Sequence, residues 1–153
     1  MAQASKQTPQ RVLMRAKLKA GSILYLHVNF TTPPKLKYVV VVHVDGDDHL
    51  LLVFLINSII HPLVERNPYR RACQKPIRKS DYSFLLNEVS YLNCDQLFDD
   101  LDYDETIDFL VAHPDNHLGY LLDSEINEVI QAVNAAQTIA EYDKNLIITS
   151  LDG

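Results

Sequence analysis

A group of cationic and aromatic side chains between residues 66 and 82 is the part of the sequence best suited to bind an anion. Arginine pairs with phosphate through two parallel hydrogen bonds, and aromatic rings stack on nucleic-acid bases. One interpretation is therefore contact with a nucleic acid, and the other is a basic loop that neutralises acidic residues elsewhere in the chain. The cationic residues are Arg66, Arg70, Arg71, Lys75, Arg78 and Lys79, and the flanking aromatic residues are Tyr69 and Tyr82.

Charge is divided unequally along the chain. Residues 1–80 hold 13 Lys or Arg and 4 Asp or Glu, a balance of +9, whereas residues 81–153 hold 1 and 16, a balance of −15. The basic half can act as an anion-binding face despite the net charge of −6, because the local field matters more than the total. The alternative is that the two halves neutralise each other across the fold.

Other groups of reactive residues are better explained without catalysis. His113 and His117 are four positions apart, but Pro114 prevents the helix that would align them on a metal, so a surface loop is expected. Cys73 and Cys94 are interpreted as buried core residues rather than a redox pair. Neither a metal nor a cofactor is predicted. A further acidic run, interpreted as a solvated linker rather than a calcium loop, contains Asp99, Asp100, Asp102 and Asp104.

Two apolar runs, residues 37–44 and 49–58, organise the elements that must position these side chains. Both runs are too apolar for one solvent-exposed face, so the pattern predicts a β-hairpin that is covered on both sides. Gly46, in the Asp-Gly-Asp-Asp turn, is expected to supply a positive φ. Because each buried Val, Leu or Ile contributes about 1.5–3 kcal/mol, this hairpin is the expected nucleus of the core.

Three further strands are predicted, which gives five in total. Residues 22–30 alternate between apolar and polar side chains, as do residues 89–97. Residues 72–79 contain Pro76, which favours a position at the edge of a sheet. Residues 59–71 are expected to be a long connection.

Helices are predicted after the strands. A short helix is expected at residues 106–112 after an acidic linker, and residues 113–119 are expected to be a loop. A main helix is predicted from Ser124, a good N-cap, to about Tyr142, and residues 144–151 are expected to form a docked apolar tail. Strands followed by helices predict an α+β fold with a small antiparallel barrel or sheet and helices at one end.

Length and composition indicate how the chain is organised. A 153-residue chain with 47% hydrophobic residues can form one domain with its own core. Residues 1–20 are predicted to be a basic N-terminal arm or short helix, and residues 21–153 a single domain. The longest uncharged apolar stretch, residues 49–64, is shorter than a membrane span, and no signal peptide is recognised at the N-terminus. With two cysteines, the sequence predicts a cytoplasmic protein with reduced thiols and no membrane partner.

The order of several segments resembles the PemK and MazF toxin family over about residues 21–140. The resemblance is one of layout and hydrophobic rhythm. The matching segments are, in chain order, Gly21, Asn29-Phe30, a proline-containing loop, Lys35-Leu-Lys-Tyr-Val-Val-Val-Val, Leu55-Ile-Asn-Ser58, residues 89–97 and residues 118–126.

The resemblance implies a small antiparallel SH3-like β-barrel with C-terminal helices, usually a homodimer. It also implies a metal-independent endoribonuclease that cleaves single-stranded RNA as the toxic half of a toxin–antitoxin pair. In such cleavage a ribose 2′-hydroxyl attacks the adjacent phosphate, which needs a proton acceptor, a proton donor and groups that stabilise the developing charge. By resemblance, Lys35 and Lys37 would contact the phosphate and Ser58 would stabilise charge. The implied RNA-binding residues are Asn57, Arg70, Arg71 and Arg78.

An alternative function follows from one departure from the family pattern. Lys37-Tyr38 stands where the family has an arginine followed by a proline. Lysine acts as a point charge and cannot form the bidentate fork of arginine. The alternative is therefore a non-catalytic barrel that binds a nucleic acid or a partner protein such as an antitoxin.

Overall fold

The computed structural model describes residues 8–153, which form an α+β fold of six strands and six α-helices. Of the predicted N-terminal arm, residues 1–7 lie outside this described part, and residues 9–17 are helical. The strands are β1 (Ser22–Val28), β2 (Lys35–Asp45), β3 (Leu50–Asn57), β4 (Gln74–Arg78), β5 (Val89–Asn93) and β6 (His117–Tyr120). The helices are α1 (Pro9–Lys17), α2 (Pro62–Glu65), α3 (Pro68–Ala72), α4 (Tyr103–Ala112), α5 (Asp123–Ala135) and α6 (Glu141–Asp152).

All six strands form one antiparallel sheet in the order β4-β5-β3-β2-β1-β6, which curls into a half-barrel. The predicted edge position of the strand that contains Pro76 is confirmed, because β4 is the first strand of the sheet. Pro76 lies opposite Tyr91 of β5. Since proline has no backbone N–H, an edge strand can hold it without losing a central ladder hydrogen bond.

The prediction of five strands is wrong, since residues 117–120 form β6, and the first three of these residues were expected to belong to a loop. This strand pairs with β1 from Ser22 opposite Tyr120 to Leu24 opposite His117. Its four residues include Gly119, at a φ of +137°, so no alternating pattern is visible in the sequence. The strand depends on pairing with a segment almost 100 positions away, which local sequence does not encode.

The central hairpin is confirmed and is covered on both sides. Val39 and Val41 point to one face of β2, while Val40 and Val42 point to the other, and all four are fully buried. The register places Val40 opposite Phe54, which is also fully buried. With about 1.5–3 kcal/mol per buried valine, the hairpin contributes to two core clusters at once.

The turn of this hairpin differs from the expected one. Gly46 does not adopt a positive φ; the residue that does is His49, at 55°. The Asp45 carboxylate accepts hydrogen bonds from the backbone N–H groups of Asp47 and Asp48 at 3.1 and 3.2 Å, so an aspartate side chain shapes the turn. A Cβ built at Gly46 would lie 3.1 Å from Arg15 Nη2, which indicates that this position needs a small residue for space.

Helices cover the two faces of the sheet as separate layers. The face of Val39 and Val41 packs against α1 and α4, and the face of Val40 and Val42 packs against α5 and α6. On the first side the helical core residues include Met14, Ile107 and Leu110, and on the second they include Val129, Val133 and Ile147.

Three predicted boundaries in the C-terminal half are corrected. The acidic linker already becomes helical at Tyr103, because the Asp102 carboxylate caps α4 by accepting a hydrogen bond from the N–H of Glu105 at 2.8 Å. The main helix ends at Ala135 rather than near Tyr142, and the expected apolar tail belongs to α6. The break between α5 and α6 is held by Thr138, whose hydroxyl donates to the carbonyl of Asp95 at 2.5 Å.

The predicted long connection after β3 contains two short helices, α2 and α3. Both begin with a proline, and Asn67 caps α3 by accepting hydrogen bonds from the N–H groups of Tyr69 and Arg70. Within residues 8–153, none of the helices combines the length and the apolar character needed to cross a membrane.

Candidate functional site

A cavity of about 270 Å³ lies where β2 begins and β3 ends. We call it the strand-end cavity. Four of the seven site residues implied by the sequence border it, namely Lys35, Lys37, Asn57 and Ser58. The antiparallel register of β2 and β3 brings them together, because it pairs Tyr38 with Ile56 and so sets Lys37 beside Asn57.

Lys37 and Asn57 are joined directly. The Lys37 ammonium donates a hydrogen bond of 2.6 Å to the Asn57 side-chain oxygen. Burial lowers the pKa of Lys37 below its ordinary value of 10.5, and the neighbouring charge of Lys35 lowers it further. Lys37 is therefore a constrained ammonium, whereas Lys35 is solvent-exposed.

Strand alternation divides the residues around the cavity between the two faces of the sheet. Lys35 and Lys37 share the face of Val39, while Leu36 and Tyr38 share the face of Val40. The two lysine side chains therefore belong to the opposite face of the sheet from Tyr38, and residues of both faces border the cavity because it lies where the strands end. A ligand in the cavity would meet Tyr25 and Tyr38 on one face, with the two lysines at the strand ends.

Two tyrosines border the cavity, and neither was expected from the sequence to belong to a site. Tyr25 and Tyr38 lie opposite each other on β1 and β2, with ring centroids 4.7 Å apart. Phe84 extends the aromatic group, with its ring centroid 5.4 Å from that of Tyr38. Burial raises the pKa of Tyr38, so its hydroxyl keeps its proton and donates to the Phe84 carbonyl at 3.1 Å. The sequence did contain a signal for Tyr25, because the alternation of apolar and polar residues in 22–30 sets it on the face opposite Leu24.

Arg70, Arg71 and Arg78, the other implied RNA-binding residues, do not border the strand-end cavity. Arg70 donates from Nε to the buried Asp95 carboxylate at 2.5 Å. Arg71 lies 3.8 Å from the Glu65 carboxylate, and Arg78 is exposed on the edge strand β4. The contact between Arg70 and Asp95 joins the basic half of the chain to the acidic half, as the alternative interpretation of the charge division expects.

A second contact between the halves fixes α1. Arg11 is only 6% exposed, and its guanidinium pairs with Asp104 at 3.2 Å and with Asp108, both on α4. Part of the positive charge of residues 1–80 is thus used inside the fold, while Lys35 remains available at the surface.

The remaining candidate groups have structural surroundings. His113 is exposed, whereas His117 is buried in β6 with Nε2 3.1 Å from the Ser22 hydroxyl. Cys73 and Cys94 are buried free thiols on adjacent chain segments, as their interpretation as core residues predicts. Burial raises the pKa of the Cys94 thiol, which keeps it protonated and unreactive. No group of three or more His, Cys, Asp or Glu residues in the described part of the chain is arranged to hold a metal ion.

Comparison with protein-family models, with curated proteins and with solved structures gives no match to this chain.

Proposed function

We propose that the strand-end cavity binds single-stranded RNA. The observation that carries the proposal is the Tyr25–Tyr38 ring pair in a cavity that Lys35 and Lys37 also border. Aromatic faces stack on any base and contribute about 1–3 kcal/mol per base, while cationic side chains neutralise phosphates. The exposed hydroxyl of Ser58, at the same cavity, is suited to a ribose 2′-hydroxyl. We also assign the curled sheet to the SH3-like barrels, in keeping with the resemblance of its segment order.

Binding without cleavage is the form of this function that the cavity favours. Among the described residues that border it there is no Asp, Glu or His, the usual proton acceptors of acid–base catalysis. Lys37 lacks the planar fork that would hold a phosphate at two points, and one of its donors is already engaged by Asn57. Stacking and charge neutralisation need neither group.

RNA cleavage of the toxin-like kind is the second candidate, and one observation favours it. The lowered pKa of Lys37 increases the fraction of neutral amine, which can accept a proton from a 2′-hydroxyl. Ser58 would donate a hydrogen bond to the developing phosphate charge, and the protonated Lys37 would return the proton to the leaving 5′-oxygen as its bond to phosphorus breaks. This candidate predicts products with a 2′,3′-cyclic phosphate end, because the attacking oxygen belongs to the substrate itself.

A protein partner can cover the same region. Leu36 and Leu86, which border the strand-end cavity, are 50% and 84% exposed. Exposed large apolar side chains next to a cavity are typical of surfaces that associate with proteins. A second copy of the chain, as a homodimer, or an antitoxin-like protein would compete with RNA at this surface.

Fluorescence anisotropy with a labelled single-stranded RNA of mixed sequence tests the proposal. Wild-type protein should bind the RNA, and binding should weaken as salt rises. A plot of the logarithm of the binding constant against the logarithm of the salt concentration should fall with a slope of about 0.7 per phosphate contacted. Tyr25→Ala should reduce affinity about fivefold or more by removing a stacking surface. Lys35→Ala should reduce both the affinity and the salt slope. The same samples, run on a denaturing gel, report cleavage.

The matched control is Lys17→Ala, which removes an exposed lysine at the end of α1. It should leave the affinity close to wild type. Equal losses in Lys35→Ala and Lys17→Ala would show that RNA follows overall charge rather than the cavity. Absence of binding at low salt would reject the proposed function altogether.

A further inference from the structure

A second cavity of about 200 Å³ adjoins the strand-end cavity on the same face of the sheet. We call it the neighbouring cavity; it is bordered among others by Ile23, Asp81, Phe84, Gly119, Tyr120 and Leu122. Ile23 and Tyr25 border one cavity each, and both lie on the same face of β1, two residues apart. Tyr38 borders the strand-end cavity and Phe84 borders the neighbouring cavity, and their ring centroids lie 5.4 Å apart, so the two cavities meet at an aromatic contact.

Phe84 borders the neighbouring cavity and contacts Tyr38, which borders the strand-end cavity. Its ring packs against Tyr38 on one side and against Tyr82 on the other, with centroids 5.4 and 5.9 Å away. Tyr82 is buried and fixed at its hydroxyl, which accepts from the N–H of Leu122 at 2.9 Å and donates to Glu125. Phe84 is thus held in place by its aromatic neighbours, so the region forms two separate cavities rather than one that a single large group could fill.

Asp81 gives the neighbouring cavity its chemical character. Its side chain is exposed, and no described residue hydrogen-bonds or pairs with its carboxylate. The Tyr120 hydroxyl, by contrast, is engaged with the carbonyl of Lys17 at 2.7 Å. An ionised carboxylate only accepts hydrogen bonds, so it pairs with exocyclic amino groups and leaves the oxygen O4 of uracil without a donor.

The charges at the two cavities favour one position for the phosphate backbone of the RNA. Asp81 places negative charge at the neighbouring cavity, whereas Lys35 and Lys37 border the strand-end cavity. Phosphates therefore lie beside the lysines, and the neighbouring cavity takes the base without its phosphate.

We propose that the two cavities bind consecutive bases of a single strand, and that Asp81 selects a base with an exocyclic amino group over uracil in the neighbouring cavity. The inference rests on the proposed function, since it requires that RNA bind at the strand-end cavity. It adds a specificity-determining residue and a minimal ligand of two nucleotides.

Anisotropy titrations with fluorescein-labelled octamers of cytidine and of uridine test the selection by Asp81. Wild-type protein should bind the cytidine octamer about fivefold or more tightly than the uridine octamer, as one carboxylate–amino hydrogen bond provides. In Asp81→Asn the ratio should fall to about one, because an amide can turn to donate to uracil or accept from cytosine. Asp81→Asn also removes a negative charge and strengthens binding to both octamers. The selection is therefore measured by the ratio of the two affinities and not by either affinity alone.

The control is Asp47→Asn, an exposed aspartate in the β2–β3 turn at the other end of the sheet, which should keep the wild-type ratio. Competition with cytidine monophosphate and with the dinucleotide CpC should show the dinucleotide to be clearly the stronger competitor. Equal binding of both octamers by wild type, an unchanged ratio in Asp81→Asn, or equal competition by monomer and dinucleotide would overturn the inference while RNA binding stands. No binding of any oligonucleotide would overturn the proposed function as well.

Discussion

Lys37 and Asn57 face each other across β2 and β3, and the Lys37 ammonium donates a 2.6 Å hydrogen bond to the Asn57 side-chain oxygen. Lys37 is half-buried beside the second charge of Lys35, and both effects lower its pKa. A lysine held in this way has a cost in folding free energy wherever it is charged, which the hydrogen bond to Asn57 offsets in part.

We predict a pH signature for this pair. The pKa of Lys37 is lower in the folded state than the 10.5 of the unfolded state, so between those two values the unfolded chain binds more protons. In that window, folding stability gains a contribution that increases with pH. Lys37→Met keeps the length of the side chain and removes the titration.

Urea denaturation of wild type and Lys37→Met at a series of alkaline pH values measures this contribution. The unfolding free energy of wild type relative to the variant should increase as pH rises toward 10.5. Comparing the two proteins cancels the titration of the tyrosines and of the other lysines. A difference that stays flat with pH would mean that Lys37 titrates as an exposed lysine.

Arg11 gives the second prediction. Its guanidinium is buried and pairs with Asp104 and Asp108, so it fastens α1 to α4. The two carboxylates are 39% and 62% exposed and regain water when the arginine is removed. Arg11→Met should therefore lower the unfolding free energy by about 1–2 kcal/mol, less than the loss of one partner from a fully buried pair.

Chemical denaturation followed by circular dichroism measures this loss, with Lys17→Met on the exposed side of α1 as the control. The control should change stability by less than about 0.5 kcal/mol, as surface substitutions usually do. Equal stability of Arg11→Met and wild type would indicate that α1 is held by its apolar contacts alone.

Local sequence was sufficient to predict the parts of the fold that depend on composition. Consecutive apolar residues such as Val39 to Val42 predict a strand buried on both faces, and Pro76 predicts an edge. The parts that depend on distant contacts could not be predicted. The short strand β6 exists because it pairs with β1, and the helix break before α6 is fixed by the contact of Thr138 with Asp95.

The candidate site shows the same division. Resemblance to a family drew attention to Lys35, Lys37, Asn57 and Ser58, and the structure places all four at one cavity. The Tyr25–Tyr38 pair was missed because it is created by the register of β1 and β2, in which two tyrosines from different segments become neighbours. Arg70 was chosen for its charge, but its buried partner Asp95 lies 25 positions away, and no local pattern predicts their contact.

Two glycines provide the last prediction, because their positions require glycine for different reasons. Gly21 has a φ of +96°, which a residue with a Cβ adopts at a cost of about 1–2 kcal/mol, and its nearest neighbour, Ile126 Cδ1, would lie 3.8 Å from that Cβ. Gly46 has no positive φ, and an added Cβ would meet the end of the flexible Arg15 side chain at 3.1 Å. Gly21→Ala should therefore destabilise through the backbone, whereas Gly46→Ala requires that Arg15 move aside and that Tyr103, whose hydroxyl would lie 3.3 Å from the new Cβ, shift slightly.

Thermal and urea denaturation of the two variants separate these causes. Gly21→Ala should lose about 1–2 kcal/mol, and Gly46→Ala should lose less than 1 kcal/mol. In the Arg15→Ala background the cost of Gly46→Ala should shrink, whereas the cost of Gly21→Ala should stay the same, since no side chain obstructs it. If Gly46→Ala proved the more damaging variant, the hairpin turn would need the positive φ that its Asp-Gly sequence first indicated.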